Sequence, residues 1–158
     1  MMLILNRKTN TDLQKRVLTE SIAISDVFSL TEGPFKELDS DELRQQLEPY
    51  LLRTVKTRHW FCSYVPAGYE KKVNLYRSCE ETKQILIQSY HRLLGESPEP
   101  TTNLENICFF RDGKLFLGTV SHEYMCYAYP PDNKFYDILM NICPWGVVDD
   151  ALDEQIIL

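Results

Sequence analysis

Glycine is scarce in this chain of 158 residues: there are only six, and they are scattered along its length. A phosphate-binding loop needs clustered glycines so that the backbone can approach the phosphate closely, and the sequence has no such cluster. It also contains no Gly-x-Ser-x-Gly motif and no His-Glu-x-x-His motif. The absence of these motifs disfavours an enzyme, and we expect no cofactor.

Paired cysteine motifs are missing as well. The five cysteines are an odd number and include no Cys-x-x-Cys pair, which argues against both a disulfide framework and a zinc ribbon. Most of them stand inside apolar runs, where a thiol behaves as a small hydrophobic side chain. We therefore expect no bound metal and a reducing compartment.

Long hydrophobic runs are absent. No apolar stretch approaches the ~20 residues that a membrane-spanning helix needs. The apolar residues 1–5 have no basic residues before them, and Arg7 and Lys8 follow them instead, which is a poor signal peptide. We expect a cytoplasmic protein that does not associate with membranes.

The sequence lacks an excess of basic residues. Its net charge is −6 and its pI is about 5.1. A nucleic-acid binder needs a basic face that displaces counterions, so this balance disfavours that class. It favours a basic protein partner, because complementary fields speed association.

The most informative stretch that is present runs over residues 107–129. Asp112-Gly113 stands between two apolar, aromatic-rich segments, and this dipeptide suits the two positive-φ positions of a type I′ turn. We predict an antiparallel hairpin here, followed by a third strand after the polar residues 119–122. This hairpin is expected to form the centre of the sheet.

The length and the ordinary composition, 44% hydrophobic and 25% charged, predict one α+β domain over residues 1–158. The patterns indicate a mainly antiparallel sheet with helices packed against it. Strands are predicted at 59–65, 72–77, 107–110, 114–118 and 123–129, with a further short strand or a flexible end at 2–6. Helices are predicted near 11–30, 40–53, 79–94 and 133–142.

Several local signals refine these boundaries. Pro49 predicts a kink or an early end of the second helix. Ser78 and Glu81 have the spacing of a capping box, and Gly95 suits the position after the end of the helix that this box would open. The apolar residues 156–158 are expected to dock on the domain.

Three residue patterns are compatible with other functions. His122 and Cys126 could hold a metal, but on a strand they would be about 13 Å apart, so turn and strand chemistry is the favoured interpretation. The histidines and cysteines could also assemble a catalytic pair from distant positions. Residues 53–77 combine six basic residues and five aromatic residues with the single acidic Glu70, as in single-strand nucleic-acid binders. A strand pair with inward aromatics and outward charges is the favoured interpretation of that pattern, because the whole chain is acidic.

The segment from Arg111 to Thr119, continuing through His122 and Glu123 to Tyr129, resembles the strand–turn–strand cores of bacterial immunity proteins. These are small α+β inhibitors paired with polymorphic or contact-dependent toxins, and they include the SUKH-type families. The resemblance implies a cytoplasmic protein that neutralises a toxin, often a basic nuclease. It matches no family-defining motif, so it implies no site residues.

Together these features predict a protein-binding inhibitor that occludes a basic toxin domain. The alternatives are a small enzyme with a cysteine–histidine or carboxylate site, and a nucleic-acid-associated regulator. The oligomeric state is not predicted. The predicted partner contacts are the carboxylates of two acidic stretches, Glu37, Asp39, Asp41, Glu42 and Asp149, Asp150, Asp153, Glu154.

Overall fold

The computed structural model describes residues 1–33, 38, 40–90, 92–95, 101–149 and 156–158. It contains four helices and one large antiparallel sheet, so the predicted α+β class is confirmed. The helices are α1 (Thr11–Ile24), α2 (Glu42–Leu47), α3 (Glu80–Ser89) and α4 (Asn133–Ile142). The strands are β1 (Met2–Leu5), β2 (Val27–Glu32), β3 (Leu51–Thr57), β4 (His59–Trp60), β5 (Ser63–Tyr64), β6 (Lys71–Arg77), β7 (Leu104–Arg111), β8 (Lys114–Val120), β9 (Met125–Ala128) and β10 (Trp145–Val148).

Eight of these strands form the large sheet in the order β10-β1-β9-β8-β7-β2-β6-β3, and every neighbouring pair is antiparallel. The turn between β7 and β8 has φ values of 51° at Asp112 and 77° at Gly113, and Arg111 pairs with Lys114 across it. Positive φ at both central residues is what a type I′ turn requires, so the predicted hairpin is confirmed.

One face of the sheet packs against all four helices. The core between them includes buried residues of every helix and of the strands facing them. Aromatic rings meet there: within the sheet, Phe28 of β2 stacks on Tyr76 of β6 at 5.3 Å, and between the layers Phe116 of β8 meets Phe135 of α4 edge-on at 5.3 Å. Alternation along the strands sends these side chains to the helical face.

The opposite face is covered by the short β4–β5 hairpin and by the end of the chain. Trp60 and Phe61 of the hairpin are buried in a second core with residues of β6, β7 and β8. Ile156 joins this core. The backbone N–H of Leu115 donates to Ile156 (2.9 Å) and that of Leu158 donates to Gly113 (2.8 Å), so residues 156–158 dock as predicted.

Two predicted helices are too long. The helix predicted at 11–30 ends at Ile24, because Ser25 closes it and the chain turns into β2, a strand in the interior of the sheet. The helix predicted at 40–53 ends at Leu47, is followed by a 3₁₀ turn that contains Pro49, and then becomes β3. The early end expected from Pro49 is confirmed.

The strand predicted at 59–65 is also wrong as one element. It divides into β4 and β5, which pair with each other and lie outside the large sheet. The predicted strand 72–77 is present as β6, which pairs with β2 and β3 and not with residues 59–65. The chain reaches β9 through a 3₁₀ turn over Ser121–Glu123, so that strand begins at Met125.

The start and end of α3 also differ from the prediction. Cys79, not Ser78, is the N-cap residue, and its backbone N–H donates to the hydroxyl of Thr82 (2.9 Å). Ser78 instead shares a hydrogen bond with Ser25 (2.7 Å). The helix ends at Ser89 rather than near Gly95. No helix among the described residues is both long and apolar enough to cross a membrane.

Candidate functional site

A backbone junction holds two distant loops together at the end of the sheet where β2 finishes and β7 begins, here called the upper end. The N–H of Gly33 donates to the carbonyl of Asn103 (2.7 Å), and the N–H of Asn103 donates to the carboxylate of Asp41 (2.8 Å). Gly33 and Asp41 enclose the acidic residues Glu37 and Asp39 in the sequence. The junction therefore fixes both ends of this acidic stretch.

The second loop at this junction is also acidic in sequence. Residues 96–100, which include two glutamates, separate Gly95 from Thr101. The N–H of Gly95 donates to the carbonyl of Ser121 (2.7 Å), just after β8, so this loop also starts at the upper end. We call this region, Glu32, Asp41 and Glu42 together with the ends of these two loops, the acidic corner.

Asp41 itself is a structural residue, and its predicted contact role is corrected. Its side chain is buried, with 7% exposure. It caps α2 by accepting from the N–H of Arg44 (3.1 Å), in addition to the bond from Asn103. A carboxylate that satisfies two backbone donors cannot turn outward without leaving both unpaired, so Asp41 supports the corner rather than meeting a partner.

Glu42 next to it is exposed, as a contact residue must be. It lies in the first turn of α2, where its carboxylate accepts from Gln46 (3.2 Å). Arg44 is turned toward the body of the protein, with its guanidinium 3.0 Å from Glu32 and 4.0 Å from Asp41. Of the carboxylates in this first predicted set that the structure describes, Glu42 is the exposed one.

The second predicted acidic stretch is at a different place. Asp149 is exposed and follows β10, whose last residue Val148 pairs with Met2 at the lower end of the sheet. β10 and β2 are five positions apart in the strand order, which corresponds to about 24 Å at the usual spacing of ~4.8 Å. The described ends of the two stretches therefore do not meet on one surface. Glu37, Asp39, Asp150, Asp153 and Glu154 lie outside the described residues.

The acidic residues are unevenly distributed along the sequence. Residues 20–48 contain eight acidic residues and two basic ones, Lys36 and Arg44. Residues 149–154 contain four acidic residues and no basic residue. The first of these segments includes the acidic residues of the corner.

The basic residues of 53–77 lie on β3, on β6 and just before β4, and Lys71 and Lys72 are at the upper end of the sheet on the strand next to β2. Three of the five aromatic residues in this region are buried, namely Trp60, Phe61 and Tyr76, as the inward-aromatic interpretation predicts. Tyr64 and Tyr69 are exposed, and the guanidinium of Arg58 covers the Tyr64 ring at 5.1 Å. The region thus offers few free rings for stacking on bases.

The cysteines show little of what a nucleophile needs. Cys108, Cys126 and Cys143 are buried, and burial raises the pKa of each thiol, for Cys108 to about 11. A raised pKa keeps a thiol protonated and therefore unreactive. His122 and Cys126 are also separated, because the histidine is exposed near Glu123 (3.8 Å) while Cys126 is in the helical core. No cluster of metal-binding side chains occurs among the described residues.

The residues that build the corner could not be found from sequence motifs. Gly33 and Asn103 act there through their backbone groups, which any residue type supplies. A comparison of the chain with protein-family models, characterised proteins and solved structures finds no match.

Proposed function

We propose that this protein is a binding protein that neutralises a basic partner by covering it, in the manner of a toxin immunity protein. The clustering of acidic residues is the main support. Residues 20–48 contain eight acidic residues and two basic ones, within a chain whose net charge is −6. Carboxylates gathered in this way attract the lysines and arginines of a basic domain over roughly a Debye length, ~8 Å at physiological salt.

The acidic corner is the favoured contact surface. Its junction is fixed by a backbone hydrogen bond from Gly33 to Asn103 (2.7 Å) and by a bond from the Asn103 N–H to the Asp41 carboxylate (2.8 Å), and the next residue, Glu42, is exposed. Because these groups already hold one another in place, Glu42 needs little ordering on binding, so more of the electrostatic attraction is kept as affinity. Asp149, which is exposed at the lower end of β10, is not part of this corner.

The mechanism is occlusion rather than chemistry. The partner's basic side chains, which in a nuclease contact phosphates, would pair with Glu37, Asp39 and Glu42. Such pairs speed association and set orientation, whereas buried apolar contacts supply most of the affinity. The buried, protonated thiols of Cys108 and Cys126 favour this mechanism over a cysteine enzyme.

The test begins with purification of the native partner from the source cell on immobilised protein. Association rates are then measured for two charge-matched variants, a corner variant (Glu37, Asp39 and Glu42 to lysine) and a tail variant (Asp149, Asp153 and Glu154 to lysine), at 0.05 and 0.5 M salt. The corner variant should associate at least about tenfold more slowly at low salt, and the difference should shrink at high salt. The tail variant should stay close to wild type.

Two results would contradict the proposal. The acidic stretches serve solubility alone if the captured partner is acidic. The same conclusion follows if the association rate is unchanged by salt and is equal for wild type and both variants. If only the tail variant slows association, the contact surface is at the lower end of the sheet and not at the corner. A growth assay, in which this protein is co-expressed with the captured partner, then shows whether binding neutralises a toxin.

A further inference from the structure

The sheet ends in a long strand that, among the residues the structure describes, has a neighbour on one side only. β3 is the last strand in the order, and the described strand that pairs with it is β6. Its seven residues are exposed or half-buried, and Leu52 is 55% exposed. Such an edge can accept one more strand through its outward backbone groups.

The charges along this edge have one sign. Lys56 of β3 lies directly opposite Lys72 of β6, and Thr57 is opposite Lys71. Arg53 is exposed on the same strand. None of these four basic side chains forms an ion pair with a carboxylate of the described residues. Like charges directly opposite each other destabilise a strand pair. A negative charge placed beside Lys56 and Lys72 would relieve the repulsion between them.

We propose that β3 is a docking edge for an extended, carboxylate-bearing peptide segment of another protein, which adds a strand to the sheet. Main-chain hydrogen bonds to β3 hold the segment, and a glutamate or aspartate beside Lys56 completes a row with Lys72. The exposed Leu52 contacts an apolar residue of the segment. This inference is independent of the acidic corner and of the function proposed for it.

The observations favour this occupant over two others. A second copy of the chain would pair β3 with β3. Because that strand holds Arg53 and Lys56 and no acidic residue, positively charged side chains would face one another and repel. A single-stranded nucleic acid needs exposed rings, but three of the five aromatic residues in 53–77 are buried and Arg58 covers Tyr64. A carboxylate-bearing strand satisfies both the open backbone and the charges.

Charged residues and bulges also protect sheet edges from aggregation, and β3 has a register shift between Leu51 and Arg53. Edge protection explains Arg53 and Lys56 but does not require Lys72, which stands on the inner neighbour β6. The bulge is confined to the start of the strand, and the register is continuous from Arg53 to Thr57. The portion with the lysines is therefore regular enough to accept a partner strand.

The probe is a fluorescent seven-residue peptide of alternating glutamate with valine or threonine. Two peptides serve as controls: one has lysine for each glutamate, and one keeps the glutamates but has alternate N-methylated amides, which cannot form the ladder. A thymidine oligonucleotide is the third control. Anisotropy at 0.05 M salt reports binding, and amide hydrogen exchange reports protection of β3. Lys56→Glu is compared with Lys134→Glu, the same charge change on the exposed surface of α4.

The glutamate peptide should bind and slow exchange in β3, Lys56→Glu should weaken it about tenfold, and Lys134→Glu less than about twofold. The N-methylated peptide should bind at least about tenfold more weakly than the unmodified one. The proposal is overturned if the N-methylated peptide binds equally well, since the attraction is then charge alone. It is also overturned if the oligonucleotide binds while the peptide does not, or if nothing binds and the charges only protect the edge.

Discussion

Phe61 lies directly above Gly118: a Cβ atom built on that glycine would be 2.7 Å from Cδ1 and Cε1 of the ring. Gly118 belongs to a row of small residues, because it pairs with Cys108, which pairs with Ser29. This row provides the space in which the β4–β5 hairpin packs on the sheet. Phe61 is 1% exposed and its ring also meets Tyr127 edge-on at 5.9 Å.

We expect Gly118→Ala to destabilise the protein by about 1–3 kcal/mol, because a methyl group in this contact forces the Phe61 ring to move. Urea unfolding provides the measurement. Gly146→Ala is the matched control: a Cβ there would be 3.7 Å from its nearest neighbour, an ordinary contact, and the free energy of unfolding should change by less than about 1 kcal/mol. Adding Phe61→Leu to Gly118→Ala should recover part of the loss; purely additive effects would contradict the contact.

The errors in the predicted helices have one cause. Near-helical spacing of apolar residues continues beyond the end of both helices. It joins Leu13, Val17 and Ile24 to Phe28, which belongs to β2. It likewise joins Leu43 and Leu47 to Leu51, which begins β3. Apolar spacing reports which side chains reach the core and continues across a break in the helix. The helices end at Ile24, just before Ser25, and at Leu47, two residues before Pro49, and serine and proline both oppose continuation of a helix.

Local rules succeeded where the residues themselves fix the backbone. The Asp112-Gly113 turn and the helix predicted at 133–142 have the predicted positions, since both depend on neighbours in sequence. The acidic corner could not be predicted in the same way. It exists because Gly33 and Asn103, seventy residues apart, form a backbone hydrogen bond, and a backbone bond leaves no trace in residue type.

Asp41→Ala should cost about 1–3 kcal/mol, because the N–H groups of Arg44 and Asn103 both lose their acceptor. Thermal or urea unfolding measures the loss, and amide exchange of Asn103 should become faster. Glu42→Ala, one residue along and exposed, should change the free energy of unfolding by less than about 0.5 kcal/mol. Equal effects of the two substitutions would show that Asp41 does not fasten the corner.

Alkylation should divide the five cysteines into two groups. Cys108, Cys126 and Cys143 are buried and burial raises the pKa of each thiol, whereas Cys62 and Cys79 are half-buried. With iodoacetamide at pH 8, mass spectrometry should detect adducts at Cys62 and Cys79 on the native protein and at all five in denaturant. Rapid native modification of Cys108 would mean that the β4–β5 hairpin opens readily from the sheet.

Stability should fall as the pH rises above about 9, and the Cys108 thiol should account for part of the fall. Burial raises its pKa from 9.0 to about 11, so between these values the unfolded chain releases a proton that the folded protein keeps. The unfolded state then binds fewer protons, and the free energy of unfolding decreases by up to about 1.4 kcal/mol per pH unit for this group. Burial raises the pKa of Tyr76 to about 12, which adds a loss of the same sign at higher pH.

Two substitutions isolate the cysteine contribution. Cys108→Ala lowers stability at pH 7 by leaving a small cavity, but it cannot ionise, so its deficit relative to wild type should shrink between pH 9 and 11. Phe110→Leu truncates a buried neighbour in the same core and removes no ionisable group, so its deficit should stay constant. The measurement is urea unfolding at intervals from pH 7 to 11. Parallel curves for wild type and Cys108→Ala would show that the thiolate is tolerated in the folded protein, and hence that water reaches the contact between Trp60 and the sheet.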